Sequence, residues 1–187
     1  MVRRLTYPRL ETERLLLRPF ERADAPEVER LCSEREIAAT TLNVPYPYPR
    51  GAARDWIATH RATFERGEGV SLAAARKEDG ALTGTIGMRI EPEHGRAEIG
   101  YWIGREYWGN GYATEAAAAV VRYGFGELGL NRIFAFHFSH NPASGRVLQK
   151  IGMTHEGRLR QHHVKWGEFV DDEIYAILAE EWRAREG

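Results

Sequence analysis

Two glycines follow a predicted strand in the segment EIGYWIGREYWGNGYATEA, which covers residues 98–116. Gly109 and Gly111 lie in a loop between a strand ending at Ile103 and a helix beginning near Tyr112. Glycine permits positive φ and lets a ligand approach the backbone closely. The unpaired N–H groups of the first helical turn carry partial positive charge, which suits a phosphate. The segment therefore predicts a site for a phosphate-bearing ligand, built from main-chain amides.

Glycine spacing alone fits several other structures. A plain glycine turn entering a core helix would have the same spacing. The phosphate-binding loop of nucleotide hydrolases is excluded, because no Gly-Lys-Ser/Thr follows, and the dinucleotide-binding fingerprint lacks its third glycine and downstream acidic residue. A nucleotide-phosphate enzyme using the same loop remains an alternative.

Composition bounds the class of protein. The formal net charge is -1, from 26 basic and 27 acidic residues, so we expect neither nucleic acid nor a membrane as partner. The length of 187 residues predicts a single domain over residues 1–187. One cysteine, Cys32, permits no internal disulfide, and no long apolar run follows the N-terminal arginines. We therefore expect a cytoplasmic protein.

Hydrophobic periodicity predicts mixed secondary structure. We expect strands and helices to alternate irregularly, with an irregular proline-rich segment at 43–51. Helices are predicted after Asp24 and over 52–65, from Tyr112 onward and over 141–151. Strands are predicted over 15–20, 70–76, 82–90, 97–103, 132–138, 159–165 and 169–178. This order predicts an α/β (α+β) fold, with a central mixed, mostly antiparallel sheet of about seven strands and helices on both faces.

Beyond spacing, the pattern Trp108-x-x-Gly111-x-Ala113 resembles motif A of the GNAT N-acetyltransferases, where Gln or Arg usually stands first. Trp in that place is typical of the RimJ/RimL-like subfamily. ETERLLLRPF, the Pro-Tyr-Pro-Tyr segment, Asn141-Pro-x-Ser144 and LQKIGM followed by EGRLR occur in the order of that subfamily. The resemblance covers nearly the whole chain. It implies the GNAT fold and acetyl-coenzyme A (acetyl-CoA) as co-substrate.

The resemblance also implies how the cofactor is held. Backbone groups around Trp102 and Ile103 would pair with the pantetheine arm as an added strand. Asn141 would hydrogen-bond that arm, and Arg146 and Lys150 would reach the adenine end unless they are only surface charges. The pyrophosphate would lie on the N–H groups of Trp108, Gly109, Asn110, Gly111, Tyr112, Ala113 and Thr114.

Acetyl transfer from a thioester to an amine requires a base, an oxyanion donor and an acid for the leaving thiolate. The donor expected is the N–H of Ile103. Ser144 is the candidate acid, since Asn141 as N-cap and Pro142 at the first helical position place it at the third. It could instead bond only to local backbone.

The base is left open between two residues and a water. Glu98 shares a strand face with Gly100 and Trp102, although a structural salt bridge would also explain it. His163, beside His162, stands where some related enzymes carry a glutamate, and histidine titrates near neutrality. It could also be a solvent-facing hairpin residue.

No metal is expected. His137 and His140 are three apart at a strand end, without accompanying Cys, His or Glu ligands. Tyr46 and Tyr48 could line the amine pocket or merely pack the irregular segment.

These residues together predict an enzyme that acetylates a primary amine by direct transfer in a ternary complex. The acceptor could be a protein N-terminus, including that of a ribosomal protein, or a small-molecule amine. We expect a monomer or a homodimer. The alternative from another class is a non-catalytic acyl-CoA sensor.

Overall fold

An eight-stranded sheet forms the centre of the molecule, in a computed structural model that describes residues 6–186. The strand order is β1-β2-β3-β4-β5-β6-β8-β7. The strands are β1 (Leu10–Glu11), β2 (Leu15–Pro19), β3 (Gly69–Arg76), β4 (Leu82–Glu91), β5 (Arg96–Ile103), β6 (Arg132–Phe138), β7 (Thr154–Lys165) and β8 (Glu168–Leu178). Every neighbouring pair is antiparallel except β5 and β6.

Helices cover both faces of the sheet, because side chains alternate along each strand and both faces are apolar. The helices are α1 (Ala25–Cys32), α2 (Arg35–Ala39), α3 (Ala52–Glu65), α4 (Tyr112–Gly126), α5 (Pro142–Lys150) and α6 (Ala179–Glu186). On one face, α4 and α5 bury residues such as Val120 and Leu148 against Ile99 and Ile133. We call this the α4 face. On the opposite, α1 face, residues of α1, α2 and α3 pack against Ala73, Leu82 and Trp102.

The parallel pair β5–β6 is short, and this opens the sheet. Its register runs only from Arg96 opposite Arg132 to Glu98 opposite Phe134. From Ile99 onward, β5 has no register partner on the β6 side in the described chain, whereas β4 pairs with it up to Ile103. The two strands therefore diverge, and a gap leads from the sheet centre toward the N-terminus of α4.

The predicted fold class is confirmed, with helices on both faces of a mostly antiparallel sheet. The sheet has eight strands rather than about seven. The strand that was not predicted is β1, whose two residues are too few to show a hydrophobic alternation. β7 begins at Thr154, five residues before its predicted start at Leu159. Its first residues are polar, and register shifts interrupt its alternation, so no strand pattern was visible there.

Asp24 stands before α1 as predicted, but its side chain makes no capping bond to that helix. Its carboxylate instead accepts hydrogen bonds from Arg18 and from the N–H of Glu21. Trp166 and Gly167, which lie between the two predicted strands 159–165 and 169–178, form a turn with φ of +52° and +86°. Positive φ at both central residues matches the twist of a two-residue hairpin.

None of the helices within residues 6–186 is long and apolar enough to cross a membrane. The first five residues, which belong to the segment used to predict the absence of a signal peptide, lie outside the described residues. The expectation of a single domain stays a prediction.

Candidate active site

The loop before α4 presents a run of unengaged main-chain amides. Gly109 and Gly111 have φ of +78° and +81°, the conformation for which glycine was expected there. Across the described chain, no acceptor is found for the N–H groups from Gly109 to Thr114, and Glu115 is the first amide of α4 to bond, to the carbonyl of Gly111. Six successive donors at a helix N-terminus suit an anion such as a pyrophosphate.

Trp108 does not belong to that run, which corrects the prediction. Its N–H donates to the carbonyl of Arg105 at 3.1 Å, within a short 3-10 turn. Its indole Nε1–H donates to the carbonyl of Ile103 at 2.6 Å. Trp108 therefore connects the loop to the end of β5. The motif, in which Gln or Arg usually stands at this position, did not indicate that role.

An N-terminal arginine braces the same loop. Arg14 donates to the carbonyl of Asn110 at 2.8 Å and forms an ion pair with Glu115 at 2.7 Å. Thr12 also donates to Glu115, at 2.5 Å. The segment ETERLLLRPF was read only as part of the family resemblance, and sequence reasoning assigned no role to Thr12 or Arg14. These contacts connect the N-terminal segment to the glycine loop and to α4.

The gap between β5 and β6 exposes backbone groups of alternate residues. The N–H of Gly104 donates to Thr83 on β4. In an antiparallel strand, the N–H and C=O of one residue point to one neighbouring strand, and those of the next residue point to the other side. The backbone groups of Trp102 therefore point to β4, as does the N–H of Gly104, while those of Tyr101 and Ile103 point into the gap. The backbone groups of Trp102 therefore serve the sheet, while Trp102 lines the cavity and its role in cofactor binding stays a prediction. Tyr101 and Ile103 remain for an extended ligand, except the carbonyl of Ile103 that Trp108 occupies.

Ser144 lies at the third position of α5, as predicted, with Asn141 as N-cap and Pro142 first. Asn141 makes no side-chain capping bond, so its amide is not used by the helix. The hydroxyl of Ser144 lies 2.8 Å from that of Tyr101. Burial raises the pKa of Tyr101 to about 12, so the phenol is protonated at neutral pH. Tyr101 was missed by sequence reasoning.

Glu98 lies on the α1 face of β5, opposite Arg89 in the register of β4 and β5. Its carboxylate accepts a hydrogen bond from the Arg89 guanidinium at 2.5 Å. The salt bridge that was named as the alternative to a catalytic role is therefore present.

His163 is oriented by a buried carboxylate. Its Nδ1 lies 2.5 Å from Oδ2 of Asp172 on β8, and Asp172 is only 1% exposed. In a neutral imidazole that donates its Nδ1 proton to this carboxylate, the lone pair is on Nε2. A bulge in β7 between Leu159 and His163, with Gln161 at φ of +52°, turns His162 to the same side. Neither Asp172 nor the bulge could be identified from spacing.

His162, His163 and Asp172 place possible ligand atoms within 4.8 Å of one another. Such a group is of a size that a metal ion could share, so the absence of a metal stays a prediction. His137 and His140, which were weighed as ligands, bond instead to the carbonyls of Phe138 and Ala39.

One cavity of about 1490 Å³ brings most of the predicted residues together. It is lined by Ser144, Glu98 and His163, by Asn141, Arg146, Lys150 and Tyr48, and by the loop residues except Asn110. The side-chain amide of Asn110 instead bonds to the carbonyls of Tyr107 and Trp108. Tyr46 packs against Trp166, with ring centroids 6.1 Å apart.

A family model described as an acetyltransferase (GNAT) domain matches residues 14–154. This chain belongs to the GNAT acetyltransferase family. The uncharacterised N-acetyltransferase YoaA of Bacillus subtilis is 38% identical over 173 residues, which cover 92% of this chain and 97% of that protein. The ribosomal-protein uS5 alanine N-acetyltransferase of Escherichia coli is 31% identical over 84 residues, or 45% of this chain and 43% of the relative.

Solved GNAT structures share the fold. RimL, a ribosomal α-N-protein acetyltransferase solved in complex with coenzyme A, matches with a TM-score of 0.84 at 19% identity, over 91% of this chain and 98% of that one. The predicted family and the enzyme class, an acetyl-CoA-dependent N-acetyltransferase, are confirmed. The individual roles of the site residues in this GNAT enzyme stay predictions.

Proposed function

We propose that this GNAT enzyme transfers the acetyl group of acetyl-CoA directly to a primary amine in a ternary complex. The observation that carries the proposal is the run of six unengaged amides, Gly109 to Thr114, at the end of the gap between β5 and β6. Main-chain donors at a helix N-terminus hold a pyrophosphate without basic side chains. This matters in a chain whose formal net charge is -1.

The gap suits the rest of the cofactor. An extended pantetheine arm would take the place of a missing strand beside Tyr101 and Ile103. Asn141 lines the same cavity, and its side chain is not used for capping. Arg146 and Lys150, on α5, line the cavity as well and would face the adenine end. The thioester supplies an activated acetyl group, and the remaining chemistry falls to the chain.

Besides the base, three groups of the chain would serve the transfer. The N–H of Ile103, on the open edge of β5, would stabilise the oxygen that becomes negative as the amine attacks. The hydroxyl of Ser144 would donate a proton to the sulfur as the carbon–sulfur bond breaks. Tyr101, 2.8 Å away, would position that hydroxyl.

As base we propose His163 rather than Glu98. Asp172 contacts Nδ1 of His163, an arrangement that would fix the ring, leave Nε2 to accept a proton and stabilise the imidazolium that forms. Glu98 already shares its carboxylate with Arg89. The amine proton would pass to Nε2 as the carbon–nitrogen bond forms.

The first test is release of free coenzyme A thiol from acetyl-CoA over a panel of primary amines. We expect turnover with at least one amine, and inhibition by coenzyme A but not by ATP. Tight cofactor binding with no turnover on any amine would instead support the acyl-CoA sensor.

The base is tested by His163→Gln and Glu98→Gln on the best amine of that panel. A positioned base contributes about 10² to 10⁴-fold, so His163→Gln should lower kcat by at least about 10²-fold and Glu98→Gln by much less. The matched control is His155→Gln, because His155 also pairs with a carboxylate of β8, Glu173, at 2.7 Å but does not line the cavity. A larger loss in Glu98→Gln than in His163→Gln would reverse the assignment.

A further inference from the structure

Part of the α1 face is not covered by the helices on that side. The core beneath α1, α2 and α3 takes its sheet residues from β3, β4 and β5, namely Ala73, Leu82 and Trp102. No described residue of β6 or β8 belongs to that core. On the same face, β6 directs Phe134, Phe136 and Phe138 into the cavity that holds His163 and Glu98. Phe136 is half-buried, and Phe134 and Phe138 are only 7% and 4% exposed, so the site continues along an apolar wall of the cavity.

The rings of β6 form the floor of a groove. Phe134 and Phe136 pack edge to face with centroids 5.6 Å apart, and His162 stacks on Phe136 at 5.9 Å. Gly100 lies across the gap on β5 and is exposed. A side chain introduced at this position would place its Cβ in open space. We call Gly100, Phe134, Phe136 and His162 the aromatic groove. An aromatic or aliphatic group bound in this groove would remove apolar surface from water, both its own and that of the rings.

The carboxylates that line the cavity are all paired within the described chain. Glu98 pairs with Arg89, Glu91 with Arg96 at 2.7 Å, and Asp172 with His163. The guanidinium of Arg96 also lies over the ring of Phe134, 5.6 Å from its centroid. A polycationic acceptor would have to displace these partners, whereas an apolar group would not.

We infer that the acceptor is a primary amine that carries an aromatic or bulky aliphatic group close to its nitrogen, rather than a polyamine or an aminoglycoside. The inference rests on the proposed function and adds its substrate class. The amine would meet Nε2 of His163 while the apolar group lies in the aromatic groove. A small arylalkylamine and a peptide with an aromatic first residue share this chemistry.

The test compares kcat/KM for 2-phenylethylamine, ethylamine, spermidine and a tripeptide that begins with phenylalanine. We expect kcat/KM for 2-phenylethylamine or for the tripeptide to exceed the values for both ethylamine and spermidine by at least about tenfold, since burial of an aromatic side chain stabilises the complex. Preference between the two aromatic acceptors distinguishes a small-molecule substrate from a protein N-terminus.

Variants locate the preference. In Phe136→Ala, the ratio of kcat/KM for the preferred aromatic acceptor over that for ethylamine should fall about tenfold, and Gly100→Leu should lower it as well by filling the groove. Phe169→Ala is the matched control, because Phe169 is 65% exposed and lies outside the cavity. Its ratio should equal that of the wild type. A spermidine value equal to or above both aromatic values, or an unchanged ratio in Phe136→Ala, would overturn the inference.

Failure of the proposed function would be distinguishable. If no amine released coenzyme A, calorimetry on the protein loaded with coenzyme A would still measure binding of 2-phenylethylamine. Binding by the wild type and about tenfold weaker binding by Phe136→Ala would uphold the groove. Equal affinities, or binding by neither protein, would reject it.

Discussion

The hydroxyl groups of Ser144 and Tyr101 form a hydrogen-bonded pair beside the cavity, which both residues line. Tyr101 comes from β5 on the α4 face, and Ser144 from the first turn of α5. Because burial raises the pKa of Tyr101 to about 12, the phenol keeps its proton and can donate to Ser144 Oγ. Ser144 can then direct its own proton toward the cavity, which it lines.

Replacement of this serine should affect chemistry more than binding. We predict that Ser144→Ala lowers kcat by about 10²-fold and changes KM for acetyl-CoA little, because the hydroxyl acts on the leaving group. Steady-state kinetics with the best amine acceptor measure both constants. Ser33→Ala is the control, since Ser33 bonds only to the carbonyl of Glu29 at the end of α1. An unchanged kcat in Ser144→Ala would leave the serine a structural role.

At the scale of elements, the junction of the glycine loop and α4 combines a backbone conformation that favours glycine with a position on the cavity. Gly111 adopts φ of +81°, and a Cβ there would lie 3.4 Å from Arg14 Nη2. Gly80, in the hairpin between β3 and β4, adopts φ of +76° with open space around it. The two glycines therefore have the same backbone requirement, and only Gly111 is in the cavity.

That pairing allows a controlled test. We predict that Gly111→Leu abolishes measurable binding of coenzyme A, while Gly80→Leu, with a similar backbone strain, binds with the affinity of the wild type. Calorimetry gives the affinities, and circular dichroism verifies that both variants fold. Wild-type affinity in Gly111→Leu would contradict the proposal that the amides from Gly109 to Thr114 bind the pyrophosphate.

Helix α3 contains a buried histidine whose two ring nitrogens have no hydrogen-bond partner in the described chain. His60 packs against Trp56, with centroids 4.4 Å apart, and against Phe20. Burial lowers the pKa of His60 from 6.5 to about 4. Between these pH values the unfolded chain binds a proton that the folded chain does not. The contribution of neutral His60 to the free energy of unfolding is therefore fully present above about pH 6.5 and is lost as the pH is lowered toward 4.

This titration predicts a pH effect on folding. In His60→Leu, the free energy of unfolding should fall between pH 7.5 and pH 5 by about 2 kcal/mol less than in the wild type. Urea unfolding at the two pH values measures it. His94→Gln, at an exposed position, should behave as the wild type. Equal losses in His60→Leu and wild type would show that His60 is not the titrating group.

At the scale of the molecule, β5 and β6 join two parts of the sheet through three register pairs only. A ligand in the gap would extend this contact. We predict that saturating coenzyme A slows amide hydrogen exchange at Tyr101 and Ile103 more than at Gly100 and Trp102, whose groups already face β4. Exchange measured by NMR resolves the four amides. Equal slowing at all four would indicate global stabilisation without a ligand in the gap.

Much of this architecture follows from local sequence. The period of α4, the glycines before it and the Asn141-Pro142 start of α5 are local signals, so the amide cradle and the position of Ser144 could be predicted. The backbone directions at Trp108 and Trp102 could not be predicted, because they depend on the 3-10 turn and on the register with β4. Those are pairings between segments, and spacing does not encode them.

Partners far apart in the chain were decided only by the tertiary structure. Asp172 meets His163 because a bulge shifts β7 against β8, and Tyr101 meets Ser144 because α5 folds over β5. Arg14 reaches Asn110 across 96 residues of sequence. The local pattern of the chain determined its fold class, the glycine loop before α4 and the position of Ser144 on α5. The orientation of the base and the aromatic groove depend on strands brought together by the burial of two apolar faces.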